Sequence, residues 1–440
     1  MSEYAAIKIR NLSLFWFKNY LQQEIVSLLF SKVDYYCIPN CIDDPEDEDS
    51  LPYTKHIYKT TVLKAKQRLD ALGYSIYRFE KMFTTKAYDA IFYDSFLSHL
   101  HTDYEEYEEK SRARIDKHVT LKKWKNSMNR IITHELDDGN IVPYDKTDAK
   151  SIGISTECDK IIFYALKDEE YESYYGLRPD VIPIAYIFRL ILEYCDPSDE
   201  VLLDFSNLRN WAEDSITNAL LATEYDEKTI VLVEGTSDKD ILEFALEKIY
   251  PHLYDLFYFM DFEDEHGGKR DGGTSYIIKN MKAFYFSKIK SKFIAIFDND
   301  AEGYHSKCTL EHDIKNWPDN FRILLYPKNK LFESYPTLLP NGTTCNSDIN
   351  QKACSVELYL PDSLIKENDD YLPIEWEARK SFTHGGQKIN IYQGVITNKD
   401  DIKSRFQKMK KSIKDKKQPF VEEEWLRMKS LLDAIVFAFV

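Results

Sequence analysis

Cysteine is scarce in this chain, and its pattern is wrong for a disulfide scaffold. Seven cysteines (Cys37, Cys41, Cys158, Cys195, Cys308, Cys345 and Cys354) are scattered over 440 residues, an odd number with no regular spacing. The one close pair, in "CIPNC", lacks a second Cys/His knuckle at suitable spacing, which argues against a structural zinc site. No stretch of eighteen apolar residues is present, so no membrane-spanning helix is expected. The opening "MSEYAAIKIRNLSLFWF" has no basic region followed by an apolar core and a cleavage site, and a cytoplasmic location is the expectation. There is no G-x-x-x-x-G-K-[ST] loop, so either the chain acts alone or an ATPase arrives as a partner. Positive charge is also in deficit. The net charge of -16 speaks against nonspecific coating of nucleic acid, though not against local gripping through a basic patch.

What is present is ordinary globular material, with 43% hydrophobic and 30% charged residues, enough for two to four domains. Residues 1–80 read as a small α+β module. Alternating "AAIKIRNLSLFWF" reads as strand or hairpin material, and "YKTTVLKAKQRLDALGYS" carries helical spacing with Gly73 at a helix end. Residues 81–222 read as helical, with "LKKWKNSMNRIITHEL" and "PIAYIFRLILEYC" the clearest amphipathic stretches.

The texture changes at residue 223. "TIVLVEG", "YDLFYFMDF", "FIAIFD" and "FRILLYP" are apolar runs separated by helical segments, the alternation of a doubly wound α/β domain over 223–330. Residues 331–440 are looser and are expected to pack back onto that core.

Two of the apolar runs end in acids. Glu234 closes the first, and Asp298 with Asp300 close the third. In open α/β sheets ligands sit beyond the carboxyl ends of the strands, so these carboxylates should converge on one edge, joined by Asp238 one turn into the next helix. Gathered carboxylates repel one another and their pKa values rise unless cations intervene, and hard divalent ions with oxygen ligands resolve the conflict. Asp238 also fits the role of a plain helix cap, and Ser237 shares that position.

"LVEGTSD" followed by "FDNDAEG" resembles the Toprim domain, the metal-binding fold of topoisomerases, bacterial primases and overcoming-lysogenization-defect nucleases. Upstream, "MSEYAAIKIRNLSLFWFKN", "KQRLDALGYS" and "LLDFSNLRNWAED" look like the N-terminal region of HEPN/Toprim-associated proteins, a bacterial group met near phage-defence genes. The resemblance implies a Rossmann-like Toprim domain preceded by a helical HEPN-like domain. It implies that Glu234 is a ligand or general acid/base, that Asp298 and Asp300 hold Mg²⁺ or Mn²⁺, and that Asp238 serves a second ion. Glu357 in "SVELYL" would be a further ligand or a plain surface acid.

The expected activity is metal-dependent phosphodiester hydrolysis of DNA or RNA in anti-phage defence. The partners implied are nucleic acid, an ATPase and a second copy of the chain. Lys269 and Arg270, in the glycine-rich "HGGKRDGGTS", suit a phosphate cradle or a plain solvated loop. Lys408, Lys410 and Lys411 in "KSRFQKMKKSIKDKK" would meet the nucleic-acid backbone. Two other readings stay open: a non-catalytic sensor or scaffold, and a metal-independent HEPN ribonuclease using Arg112 and His118 of "RARIDKH".

Overall fold

The computed structural model describes residues 4–42, 52–91, 104–138, 156–160, 177, 181–210, 227–260, 272–339, 341–384 and 387–440. Lys269 and Arg270, and with them most of the glycine-rich loop, lie outside the described residues. The chain divides into two compact units, one ending at Tyr225 and the other running from Asp226 to Phe439.

The first unit is built on an antiparallel sheet. Strands β1 (Tyr4–Ile9) and β2 (Leu12–Lys18) form the expected hairpin, and β3 (Tyr35–Cys41) pairs with β4 (Tyr53–Thr61). Between the two pairs lies β5 (Glu200–Asp204), giving the order β2-β1-β5-β4-β3. This corrects the boundary expected at residue 80. Valine and leucine in "EVLLD" fill the middle of the N-terminal sheet, so the helical region is an insertion between β4 and β5 and not a domain that follows a finished module.

Around the sheet the described part of this unit carries helices α1 (Gln23–Leu29), α2 (Val62–Ala71), α3 (Ile76–Ile91), α4 (Tyr104–His118), α5 (Leu121–Asp138) and α6 (Ile184–Leu192). Gly73, at φ +84°, ends α2 in the left-handed conformation that glycine takes at least cost. Helix α6 is buried along its length and is fixed to α2 by Arg189, whose Nε lies 2.7 Å from Asp70. No helix among the described residues is long and apolar enough to cross a membrane.

The second unit holds a four-stranded parallel sheet: β6 (Thr229–Leu232), β7 (Phe257–Phe259), β8 (Phe293–Phe297) and, two positions on in chain order, β10 (Phe321–Leu325). The spatial order is β10-β8-β6-β7, with every pairing parallel. All five residues of β8 are buried, which is why "FIAIF" is apolar without alternation. Helices α7 (Thr236–Ile249), α8 (Thr274–Phe286) and α9 (Ala301–Asp313) follow β6, β7 and β8 in the expected places. Leu232, Ile277, Met281, Phe293, Phe297 and Leu310 form the core between sheet and helices.

The rest of this unit packs around that sheet. A two-residue strand β9 (Asn299–Asp300) pairs with β13 (Ala353–Cys354), pinning the later chain to the "DND" turn. Strands β11 (Tyr335–Leu338), β12 (Thr344–Ser347), β16 (Ile374–His384) and β17 (Gln387–Ile396) make a further sheet. The small hairpin β14 (Lys366–Glu367) and β15 (Asp370–Tyr371) lies in the chain between β12 and β16. Helices α10 (Lys399–Lys414) and α11 (Leu426–Val436) close the chain. Phe244 of α7 meets Phe406 of α10 at 5.8 Å and Trp425 at 5.9 Å, ring contacts that hold α10 and the start of α11 on the α/β core.

Candidate metal and phosphodiester site

Strand order sets the position of the site. From β6 the chain steps outward to β7 and then returns to place β8 on the other side of β6, so the direction of winding reverses between β6 and β8. A crevice opens beyond the carboxyl ends of strands at such a point. Glu234 lies two residues past the end of β6, and Asp298 is the first residue after β8.

The two ends are joined directly. The backbone N–H of Asp298 donates to Glu234 Oε1 at 3.1 Å. The backbone carbonyl of Glu234 accepts from Gly273 N–H at 2.6 Å, which brings the start of α8 to the same place. Asp300 caps α9, its Oδ1 accepting from Gly303 N–H at 2.7 Å, and its Oδ2 accepts from the Gln393 amide of β17. Gly303 is required by closeness: a Cβ there would stand 2.1 Å from the carbonyl oxygen of Asp298. The glycine of "DNDAEG" therefore lets α9 start hard against the turn that carries both aspartates.

Asp238 is not a helix cap. Gly235 occupies the N-cap position of α7 and no side chain caps it. The Asp238 carboxylate is buried, with the Tyr326 hydroxyl 3.5 Å from its Oδ1. Glu357 is likewise not a surface acid on a short strand. Its segment forms a 3-10 turn, Val356–Tyr359, and its side chain is fully buried. Ser355 Oγ donates to Glu357 Oε2 at 2.7 Å, and Lys399 Nζ sits 3.1 Å from the same oxygen.

The electrostatics follow from this crowding. Burial first, then the negative charge of Asp300, pushes Glu234 up to about 8, against the opposing Asp298 N–H. Burial and then Glu357 push Asp238 up to about 6. Asp298 is raised well above the usual carboxylate range by burial and by Glu234, Asp238 and Asp300 together. Asp300 is also raised, chiefly by burial, although Gly303 N–H opposes the rise. Four carboxylates pushed the same way in one crevice make it a candidate functional site.

The fit to a divalent ion is good in donor chemistry and incomplete in assembly. All the donors are carboxylate oxygens, as hard cations prefer, and Asp298 Oδ1 is buried without a hydrogen-bond partner. Among the described residues, however, no three acids already stand as a finished cation cage. Asp300 is engaged through both oxygens and Glu234 through one, so holding an ion requires these side chains to exchange partners.

The basic residues divide. Lys408 and Lys411 are exposed on α10, whereas Lys410 is half-buried and ion-paired with Asp240 of α7. That pairing ties α10 to α7. Sequence reasoning missed Glu302, Tyr326, Gln393, Lys399 and Lys403, all of which reach the acid cluster or its edge. Glu302 was open to view inside "DNDAEG". The others come from distant segments that carry no local motif.

In the first unit, Arg112 and His118 both lie on α4, but six residues apart places them roughly 240° round the helix, not on one face. His118 instead lines a cavity of about 280 Å³ with Lys123, Ser127 and Arg130 of α5 and with Thr156, Glu157 and Cys158. Asp159 beside it is buried, accepting from Ser127 Oγ at 2.5 Å and pairing with Arg130.

A sequence model of the HEPN/Toprim N-terminal domain 1 family matches residues 1–228, just over half of the chain. The chain belongs to this family. The match ends where β6 begins, so it covers the first unit and leaves the parallel α/β unit to be read from its own topology and acids. The family name ties this HEPN/Toprim chain to nuclease-associated proteins. No curated protein and no solved structure matches it.

Proposed function

We propose that this HEPN/Toprim protein is a Mg²⁺- or Mn²⁺-dependent nuclease, with residues 227–330 forming a Toprim catalytic core. The observation that carries the reading is the meeting of Glu234, Asp238, Asp298 and Asp300 at the switch point of a parallel sheet, each with its carboxyl pKa driven upward. A divalent ion held there would supply water activation and charge neutralisation for phosphodiester hydrolysis. Asp298 and Asp300 would hold it. Glu234, beside them, would be a further ligand or the general acid/base of the reaction. Lys408 and Lys411 on α10 supply the exposed positive charge for a nucleic-acid backbone, with no preference between DNA and RNA. A role as an effector in anti-phage defence fits the family, and an ATPase partner or a second copy fits a chain without a nucleotide-binding loop.

The test is cleavage of DNA, tRNA and rRNA substrates by the full chain with Mg²⁺ or Mn²⁺ and with chelator. Metal-dependent cleavage that disappears in Glu234→Ala and Asp298→Ala supports the reading, and full activity in both variants removes it. Metal-independent binding without cleavage would favour the sensor or scaffold role. The cavity around His118, Lys123 and Arg130 supports a second reading, metal-independent RNA cleavage in the first unit. Activity that survives chelation but not His118→Ala would favour that one.

A further inference from the structure

The acid cluster does not face a neutral wall. Helix α10 begins at its edge, and the two lysines of its first turns point at the same buried carboxylate. Lys399 Nζ is 3.1 Å from Glu357 Oε2 and Lys403 Nζ is 3.8 Å from Glu357 Oε1, while Glu357 itself has no exposure to solvent. The helix is held there firmly. Asn398 caps it in the left-handed conformation at φ +55°, and Ile402 and Phe406 are buried, the latter against Phe244 of α7.

We propose that Lys399 occupies the place of a second metal ion, so that this site holds one divalent ion at its Glu234, Asp298 and Asp300 end and a tethered ammonium at its Asp238 and Glu357 end. The inference rests on the metal-dependent reading above and narrows it.

Both oxygens of Glu357 face lysine ammonium groups, so a dication could use Glu357 only by evicting them. The reach of Lys399 extends past Glu357. Burial works against its charge, but Glu357, Asp298 and Asp238 outweigh burial and hold its pKa above the usual lysine value. The same ammonium group opposes the upward push on Asp238, Asp298 and Asp300. A dication placed among Asp238 and Glu357 would therefore meet a positive charge already installed, in surroundings where Coulomb repulsion is weakly screened. At the other end of the cluster no ammonium lies within ion-pairing distance of Glu234 or Asp300 among the described residues, and Asp298 Oδ1 lacks a partner.

The test counts ions. Mn²⁺ is titrated into the metal-free full chain by calorimetry, and bound Mn²⁺ is followed by electron paramagnetic resonance, where a pair of ions about 4 Å apart shows spin coupling. The wild type is expected to bind one Mn²⁺ with an uncoupled spectrum. Lys399→Met, which frees Glu357, is expected to bind a second and to show coupling, and Lys399→Met combined with Glu357→Gln to return to one. Two coupled ions in the wild type would overturn the inference while leaving the metal-dependent reading intact. No Mn²⁺ bound by the wild type would overturn both. The wild-type count decides the matter even where a variant fails to fold.

Discussion

Glu234 and Asp298 end two neighbouring parallel strands and are tied to each other by a hydrogen bond, the Asp298 N–H donating to Glu234 Oε1 at 3.1 Å. One acid thus organises the backbone that presents the next. The arrangement fixes the geometry of the crevice while leaving an oxygen of each carboxylate, Glu234 Oε2 and Asp298 Oδ1, free of that bond.

Metal-free protein should lose stability as pH rises from about 4.5 to about 8. Glu234 has a folded-state pKa of about 8 against 4.5 in the unfolded chain, and Asp238 about 6 against 3.8. Raised folded values mean that the folded state holds protons the unfolded state has released. The associated stability is complete below the unfolded values and is gone above the folded ones. Thermal melts in chelator across this window should show a falling Tm, and Mn²⁺ should restore most of the loss at pH 8. A Tm in chelator that is flat or rising between pH 5 and 8 would refute the crowding.

Asp298→Asn should separate stability from activity. Asp298 is buried among like charges, so removing its charge relieves repulsion and should raise the Tm of the metal-free protein. The same change removes a proposed metal ligand. Metal-dependent cleavage should fall on the order of 100-fold or more, the scale on which loss of one preorganised electrostatic group acts. Melting in chelator and cleavage kinetics on one preparation check both halves.

Much of the second unit is legible in the sequence because its signals are local. "FIAIF" is apolar at every position because β8 is covered on both faces, and the acids after it fall at a strand end because chain reversal must happen there. The surroundings of Asp238 are not legible locally: cap and inward-facing positions share one helical turn, and its burial beside Tyr326 depends on a segment far along the chain. The burial of Glu357 is hidden for a related reason, since "SVELYL" alternates like a strand yet folds as a 3-10 turn whose acid meets the lysines of α10. Strand β5 was hidden for another reason. Its pairing partners are at the opposite end of the unit, and antiparallel partners leave no mark on each other's spacing.

Gly303→Ala should damage the site through the backbone alone. The added Cβ would stand 2.1 Å from the Asp298 carbonyl oxygen and 3.2 Å from Phe297 Cβ, in a place where neither neighbour is a flexible side-chain end. Relief requires α9 to shift away from the "DND" turn. The expected cost is roughly 1–3 kcal/mol, the range for overpacking a well-filled core. Chemical denaturation measures it, and a fall in Mn²⁺ affinity should accompany it, since Asp300 loses its grip on the start of α9.

Phe297→Ala tests the core beneath the acids. Phe297 is fully buried at the last position of β8, packed with Leu232, Met281 and Leu310. Truncation should cost about 3–5 kcal/mol, from lost apolar burial and the cavity left behind. Because the strand end directly precedes Asp298, the cavity also loosens the carboxylate that the hydrogen bond to Glu234 holds. Cleavage at a temperature well below the lowered Tm should therefore still fall, whereas Leu208→Ala, buried in the first unit, should lower stability without lowering metal-dependent cleavage at that temperature. Equal losses of cleavage in the two variants would mean that the strand end does not set the position of the acid.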